Sequence, residues 1–353
     1  MTVPSAGRNH AEAATRRSPD ASDRLPADRM RAAWYEQRGD AATVFTVGET
    51  DTPVPGEDEV RIRIRASGVN PGDVKKRSGY FDSAMPYQRV IPHGDGAGII
   101  DAVGSGVSQD LLGERVWCYG AQWYRPFGTA AEYTTVPQTQ AVTLADPVSF
   151  EVGACLGIPG LTSHRAVFAD GRVTDRVVLV VGAAGAVGSF AVAFAAWDGA
   201  QVIGVVRHEA EADLAQRAGA SQALVAGEGL ATRIRAIAPG GVDRIIDVSF
   251  SANADLYAEV LAIEGVVATY FSPEANPVLP YFPLLFKNAV IRFIGSDDIP
   301  ADAKRRAARD ITTCLAEDRL MISIGLTVDL KEIARAHDAV ERRTHAGRVV
   351  VVP

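Results

Sequence analysis

The chain has 353 residues, enough for two domains of ordinary size, and its 47% hydrophobic content supplies a core for each. A formal net charge of −7 argues against a nucleic-acid or membrane-surface partner, and no stretch approaches the roughly 18 to 20 uninterrupted apolar residues of a membrane span. Cys118, Cys155 and Cys314 lie far apart with no C-x-x-C pair, which leaves neither a disulfide framework nor a cysteine-rich zinc lobe, so the chain reads as cytoplasmic.

Residues 1–29 are rich in Pro, Ser, Ala, Asp and Arg without apolar periodicity, and read as a disordered tail lacking the core of a signal peptide. Met30 opens a strand-like run to Tyr35. Glu59 to Ala66 alternates, with Val60, Ile62 and Ile64 on one face and Arg61, Arg63 and Arg65 on the other, the period-two signature of a half-buried strand. The glycines of 94–106 suggest strands meeting at tight turns.

From about 153 the rhythm changes to alternating strands and helices, the pattern of a parallel sheet. Val177 to Val181 reads as a buried parallel strand, Ser189 to Trp197 as a helix closed by Gly199, and Gln201 to Val206 as the second strand of a βαβ unit. Asp243–Val248, Gly265–Tyr270 and Ala289–Ile294 continue the strands. Helical patterns at 300–318 and 330–343 precede a last strand, Arg348–Val352, best explained if the C-terminus returns to the first domain.

Between the first strand and helix stands Gly182-Ala183-Ala184-Gly185-Ala186-Val187-Gly188. Glycine is needed where the backbone approaches a pyrophosphate, and a helix N-terminus offers unpaired N–H groups and a positive dipole end to the anion. The spacing is G-x-x-G-x-x-G, which meets the common dinucleotide fingerprint only in its last two glycines; the βαβ context carries the rest. Gly182, Ala183, Gly185, Ala186, Val187 and Gly188 are therefore candidate cofactor-binding residues. The second strand ends in Arg207 where an NAD site usually places a carboxylate, so NADPH is favoured, with Arg207 reading the 2′-phosphate; Glu209 and Glu211 weaken such a site if they point inward. Ser249 and Tyr270, at the ends of two later strands, complete the candidate cofactor set.

From Met30 to its C-terminus the chain resembles the quinone oxidoreductase (zeta-crystallin-like) branch of the medium-chain dehydrogenase/reductase superfamily. The matching segments are Val69-Asn70-Pro71-Gly72-Asp73, Arg77-Ser78-Gly79, Pro92-His93-Gly94-Asp95-Gly96-Ala97-Gly98, Gly128-Thr129-Ala130-Ala131-Glu132-Tyr133, Gly157-Ile158-Pro159-Gly160-Leu161-Thr162, the glycine turn, and Ala346-Gly347-Arg348-Val349-Val350-Val351. The resemblance implies an α/β protein with a GroES-like β-rich catalytic domain (30–152 plus 296–353), a Rossmann cofactor domain with a doubly wound parallel sheet (153–295), a cleft between them and frequently a dimer. It also implies cofactor or cleft roles for Asn70, for Thr162 at the start of the helix linking the domains, and for Arg343 on the last helix. Each has a structural alternative: a turn, a helix cap and a solvated helix residue.

Zinc enzymes of the superfamily carry a Cys a few residues before an Asp; the matching stretch here, Asn70-Pro71-Gly72-Asp73, has none, and His93 stands one place from the zinc-binding His, so no metal is expected. Lys75 replaces a family tyrosine, Phe81 another with Tyr80 beside it, and Glu211 a cofactor-binding lysine. The candidate catalytic residues are Asn70, Lys75 and Tyr80, with Lys75 a proton donor to a developing enolate if desolvated, or else merely solvated. The aromatic segments 117–127 and 270–286 either line the acceptor cleft or form core and dimer contacts. The expected activity is zinc-independent, NADPH-dependent hydride transfer to a quinone or conjugated enone. Alternatives are an enoyl reductase or non-redox cyclase recruited to a biosynthetic pathway, or an NADPH-binding protein with a non-catalytic role.

Overall fold

A computed structural model describes residues 28–81 and 84–353; all but the last two residues of the tail expected over 1–29 lie outside them. In chain order the first strands are β1 (Arg29–Tyr35), β2 (Phe45–Asp51), β3 (Glu59–Val69), β4 (Asp95–Val103), β5 (Arg115–Cys118), β6 (Tyr133–Pro137) and β7 (Ala141–Thr143). Then come β8 (Val177–Val181), β9 (Gln201–Val206), β10 (Gln222–Val225), β11 (Val242–Asp247), β12 (Leu261–Thr269), β13 (Val290–Phe293), β14 (Ile324–Asp329) and β15 (Arg348–Val352).

The alternation in β3 does what it dictates: Val60, Ile62 and Ile64 are buried, while Arg61 turns outward to pair with Asp101 at 2.9 Å. β3 is the centre of the larger sheet, whose order is β14-β15-β3-β4-β5-β7 with β6 also paired to β3. Of the glycines of 94–106, Gly96 and Gly98 lie within one continuous strand, β4, while Gly104 and Gly106 lie in the turn that follows it, Gly106 with a left-handed φ of +84°. A Cβ at Gly98 would fall 2.1 Å from the Arg63 carbonyl oxygen, so glycine there permits the close approach of β3.

The second sheet is parallel, in the order β10-β9-β8-β11-β12-β13. β8 and β11 lie side by side although the chain winds outward from them in opposite directions, so the crevice at their C-terminal ends is the topological switch point where such sheets bind dinucleotides. The helix after β8 runs Ala186–Trp197, beginning one turn earlier than its apolar residues suggest because Gly185 is already its N-cap.

β15 pairs with β3, so the C-terminus does return to the antiparallel half; it also lies parallel to β14, whose short Ile-Gly-Leu-Thr-Val-Asp run gave no strand signal. The helix Ala301–Ala316 belongs to the segment expected with the antiparallel half. It packs on the helix Gly157–Phe168, with Ile311 against Gly160, and joins the core under the parallel sheet. By contrast the helix Ile333–Arg342 buries Ile333, Ala336 and Ala339 against Met30, Val349 and Val351 in the antiparallel half. Between the halves, Lys76 bonds Asp297 at 2.6 Å and the Tyr124 hydroxyl donates to Asp298 at 2.8 Å.

Candidate functional site

The glycine turn closes at the C-terminal end of β8. Gly182 adopts a left-handed φ of +78°, which glycine alone adopts without strain, and its carbonyl oxygen accepts from the Gly185 N–H at 2.8 Å. The N–H groups of Gly182 and Ala183 both bond the Val205 carbonyl, fastening the turn to β9. A Cβ at Gly188 would lie 2.0 Å from the Gly182 carbonyl oxygen, so that glycine seats the helix on the turn, while Gly185 has more room at 3.0 Å from the same atom. The first helical hydrogen bond runs from Ser189 N–H to Gly185 O, which leaves the amides of Ala186, Val187 and Gly188 at the free end of the helix.

Ser249 follows β11, the strand next to β8 at this end of the sheet, and Tyr270 follows β12, one strand further out. The Ser249 N–H donates to Asp247 Oδ2 at 2.6 Å, and the half-buried Tyr270 packs on the core beneath the helix. Asp247, fully buried at the tip of β11, is a carboxylate that sequence reasoning passed over; burial raises its pKa. At the end of β9 Arg207 is exposed, as a phosphate reader must be. Its partner is Glu211, 3.5 Å away, and the same carboxylate accepts from the N–H groups of Arg207 and His208 at 2.9 and 3.3 Å. Glu211 thus does face this corner of the site.

Arg348 is a second residue that sequence reasoning missed. From the first position of β15 its guanidinium donates to the Ala186 carbonyl at 2.7 Å and lies over the Phe190 ring, which sets a fixed cation at the opening turn of the helix Ala186–Trp197. A lone cation heading an apolar terminal strand was the available signal. Arg343, expected on the last helix with a cofactor or cleft role, lies just past the helix Ile333–Arg342 in a left-handed conformation, and its charge bears on Lys75.

Asn70 is the N-cap of the helix Pro71–Ser78, and it is nearly buried. Its side-chain Nδ2 donates to Asp95 Oδ2 at 2.8 Å, and Asp95 also receives the Ile158 N–H at 2.7 Å. This amide group is therefore held by the protein itself. Asp95 Oδ1 has no partner among the described residues, and burial raises the Asp95 carboxyl to about 8. Thr162 lies within the helix Gly157–Phe168 and not at its start, so it caps nothing; its buried hydroxyl has no partner among the described residues.

On the helix Pro71–Ser78, Lys75 reaches across to the parallel half. Its Nζ stands 3.0 Å from the centroid of the Phe271 ring and 5.1 Å from that of Tyr80, and burial together with the Arg343 charge lowers its pKa to about 8. Tyr80 is half-exposed beside it. Of the aromatic segments, Trp117, Tyr119 and Trp123 are core, whereas Tyr281, Phe282 and Phe286 are exposed.

The donors present do not fit a catalytic zinc. His93 is fully buried with both ring nitrogens engaged, Nδ1 to Ser67 at 2.8 Å and Nε2 to His337 at 2.9 Å. Hydroxyl counting fixes the polarity of this chain. Thr129 donates to the Asp95 carbonyl, so Ser67 donates to Thr129, His93 Nδ1–H donates to Ser67, and His337 Nε2–H donates to His93. All three cysteines are buried, and among the described residues no group of three His, Cys, Asp or Glu is placed to hold a metal.

Comparison with known proteins agrees with this geometry. A family model described as "Alcohol dehydrogenase GroES-like domain" matches residues 56–146, and one described as "Zinc-binding dehydrogenase" matches 186–308. A quinone oxidoreductase of Rattus norvegicus is 33% identical over 258 residues, which cover 70% of this chain and 76% of the rat protein. One from Pseudomonas aeruginosa is 26% identical, covering 85% of this chain and 92% of its own. A solved mycobacterial quinone oxidoreductase superposes with a TM-score of 0.80 at 26% identity, over 92% of this chain and 100% of that one. A mycobacterial structure complexed with NADPH gives 0.79 at 26% identity, with the same coverage of both chains. The chain belongs to the quinone oxidoreductase branch of the medium-chain dehydrogenase/reductase superfamily, and it is a nicotinamide-dependent oxidoreductase.

Proposed function

We propose that the enzyme uses NADPH to reduce a quinone or a conjugated enone without a metal. The observation that carries this reading is the Lys75 amine lying on the faces of Phe271 and Tyr80, where the helix Pro71–Ser78 meets the loop after β12. Flat rings offer a stacking surface to a planar acceptor, and an amine titrating at about 8 is matched to donating a proton near neutrality. The nicotinamide, when bound, supplies the hydride. The glycine turn, the free amides of Ala186 to Gly188 and the Arg348 cation fit its pyrophosphate, and the orphan Thr162 hydroxyl is a group that a ligand would satisfy. Arg207 supports the 2′-phosphate form.

Lys75, as the ammonium ion, donates to the acceptor oxygen that gains charge as hydride arrives at carbon; the nearby Arg343 favours release of that proton. Following NADPH absorbance with a panel of quinones, conjugated enones and simple ketones tests the reading. Turnover of the first two classes, resistant to chelators, is expected. Activity confined to simple ketones or abolished by chelation would overturn it.

We infer further that the working unit is a homodimer. β13 ends the parallel sheet with one edge unpaired among the described residues, and Tyr281, Phe282, Phe286 and Phe293 are exposed on or just before it. A second copy paired along this edge would cover both the unpaired backbone and the rings.

A further inference from the structure

The enzyme is poor in nucleophiles, and the few it has are unevenly armed. Its three cysteines are buried, and burial pushes each thiol up to about 12, so the groups that ordinarily react first with electrophiles are closed. The sequence holds five lysines. Lys76 bonds Asp297, Lys304 donates to the Asp297 carbonyl while lying over Trp123, and Lys287 donates to the Leu261 carbonyl. Lys331 stands exposed at a helix start. Lys75 differs from these: its amine lies against two aromatic faces, it has no oxygen acceptor among the described residues, and a cation, Arg343, is nearby.

We propose that Lys75 is a covalent capture site for conjugated carbonyl compounds, its uncharged amine adding to the β-carbon of an acceptor that enters the cleft. The inference rests on the reading that enones and quinones enter there. The step needs no oxidant or reductant. The Nζ lone pair forms the new C–N bond, the C=C π pair shifts through the conjugated system to the carbonyl oxygen, and a proton leaves nitrogen for the enolate through water. The product carries the whole acceptor, so the protein gains the mass of one intact molecule. Geometry and protonation act together: Nζ rests against the rings of Phe271 and Tyr80 with no oxygen acceptor among the described residues to hold it, and the depressed pKa leaves a share of the amine uncharged near neutral pH. Hydride transfer and amine addition then compete for the same electrophilic carbon, which makes capture a brake on the enzyme whenever reduced cofactor is scarce.

The test uses the full chain and cyclohex-2-enone without cofactor, followed by intact mass measurement and peptide mapping. The expected result is a single adduct on Lys75, forming at a rate that rises through about pH 8, and lost in Lys75→Arg, which keeps the charge and the ring contact. Labelling spread over Lys331 and the other amines, a rate that rises only in the range of a solvated lysine, or no adduct at all would each overturn the proposal. Turnover of the same enone with NADPH is measured in parallel. An adduct on Lys75 without turnover sinks the enone-reductase reading and leaves the capture site standing, while turnover without an adduct does the reverse.

Discussion

Glu211 accepts from two backbone amides and from Arg207, which places a fixed negative charge beside the Arg207 cation at the end of β9. A phosphate arriving there has to draw Arg207 from Glu211 and tolerate the carboxylate. Removing Arg207 by R207A loses one charge-assisted pair, about 1.5 to 3 kcal/mol, and should weaken NADPH about ten- to a hundred-fold with little change for NADH. Glu211→Gln keeps one acceptor for the amides but removes the charge, and should tighten NADPH several-fold. Fluorescence titration of both cofactors decides: equal effects on NADPH and NADH would show that neither residue reads the 2′-phosphate. At this scale the sequence was uneven. The shape of the glycine turn and the exposed place of Arg207 at the end of β9 were legible because each answers to a local rule. Asp95, Asp247 and Arg348 were not, because their roles depend on partners brought from distant segments, such as Ile158 to Asp95 and Ala186 to Arg348.

The turn and its helix separate two kinds of glycine. At Gly188 a methyl group meets the Gly182 carbonyl 2.0 Å away, and backbone cannot yield cheaply, so Gly188→Ala should cost about 1 to 3 kcal/mol of stability along with cofactor affinity. At Gly185 the added Cβ lies 3.0 Å from that oxygen with φ at −77°, an ordinary value, so Gly185→Val should abolish cofactor binding while leaving most of the fold intact. Urea denaturation paired with NADPH titration separates the two, and equal destabilisation by both would contradict this division. Strands with period-two or continuous β-branched character, β3, β8, β9 and β15, were readable for the same reason that they form: one or both faces must be buried. β14 and the true packing of Ala301–Ala316 were not, since a short polar-interrupted edge strand has weak periodicity and an amphipathic helix does not name the surface it covers.

Across the whole molecule, buried titratable groups pull stability in opposite directions with pH. His93 is lowered to about 3 by burial, and His337 is also held well below its ordinary value, so between about pH 6.5 and 3 the unfolded chain binds protons that the native state refuses. Their contribution is complete above about 6.5 and declines as pH falls from there. Asp95, raised to about 8, has the reverse sign, holding its proton in the native state and losing that advantage as pH rises from about 4 toward 8. The double variant His93→Asn/His337→Phe should therefore show a shallower acid-side fall in urea midpoint; an unchanged slope would locate the acid sensitivity elsewhere. Assembly is the other property of this scale. Phe286 and Phe293 are 77% and 70% exposed, more than a monomer gains by showing rings beside an open strand edge. Sedimentation should give twice the 37.4 kDa chain mass. A lysine at Val290 or Phe286 should shift that species toward the monomer, because a charge facing its own copy across a two-fold edge meets a like charge without water to screen it. If wild type sediments as a monomer at micromolar concentration, the homodimer reading fails, and the exposed rings need a different occupant.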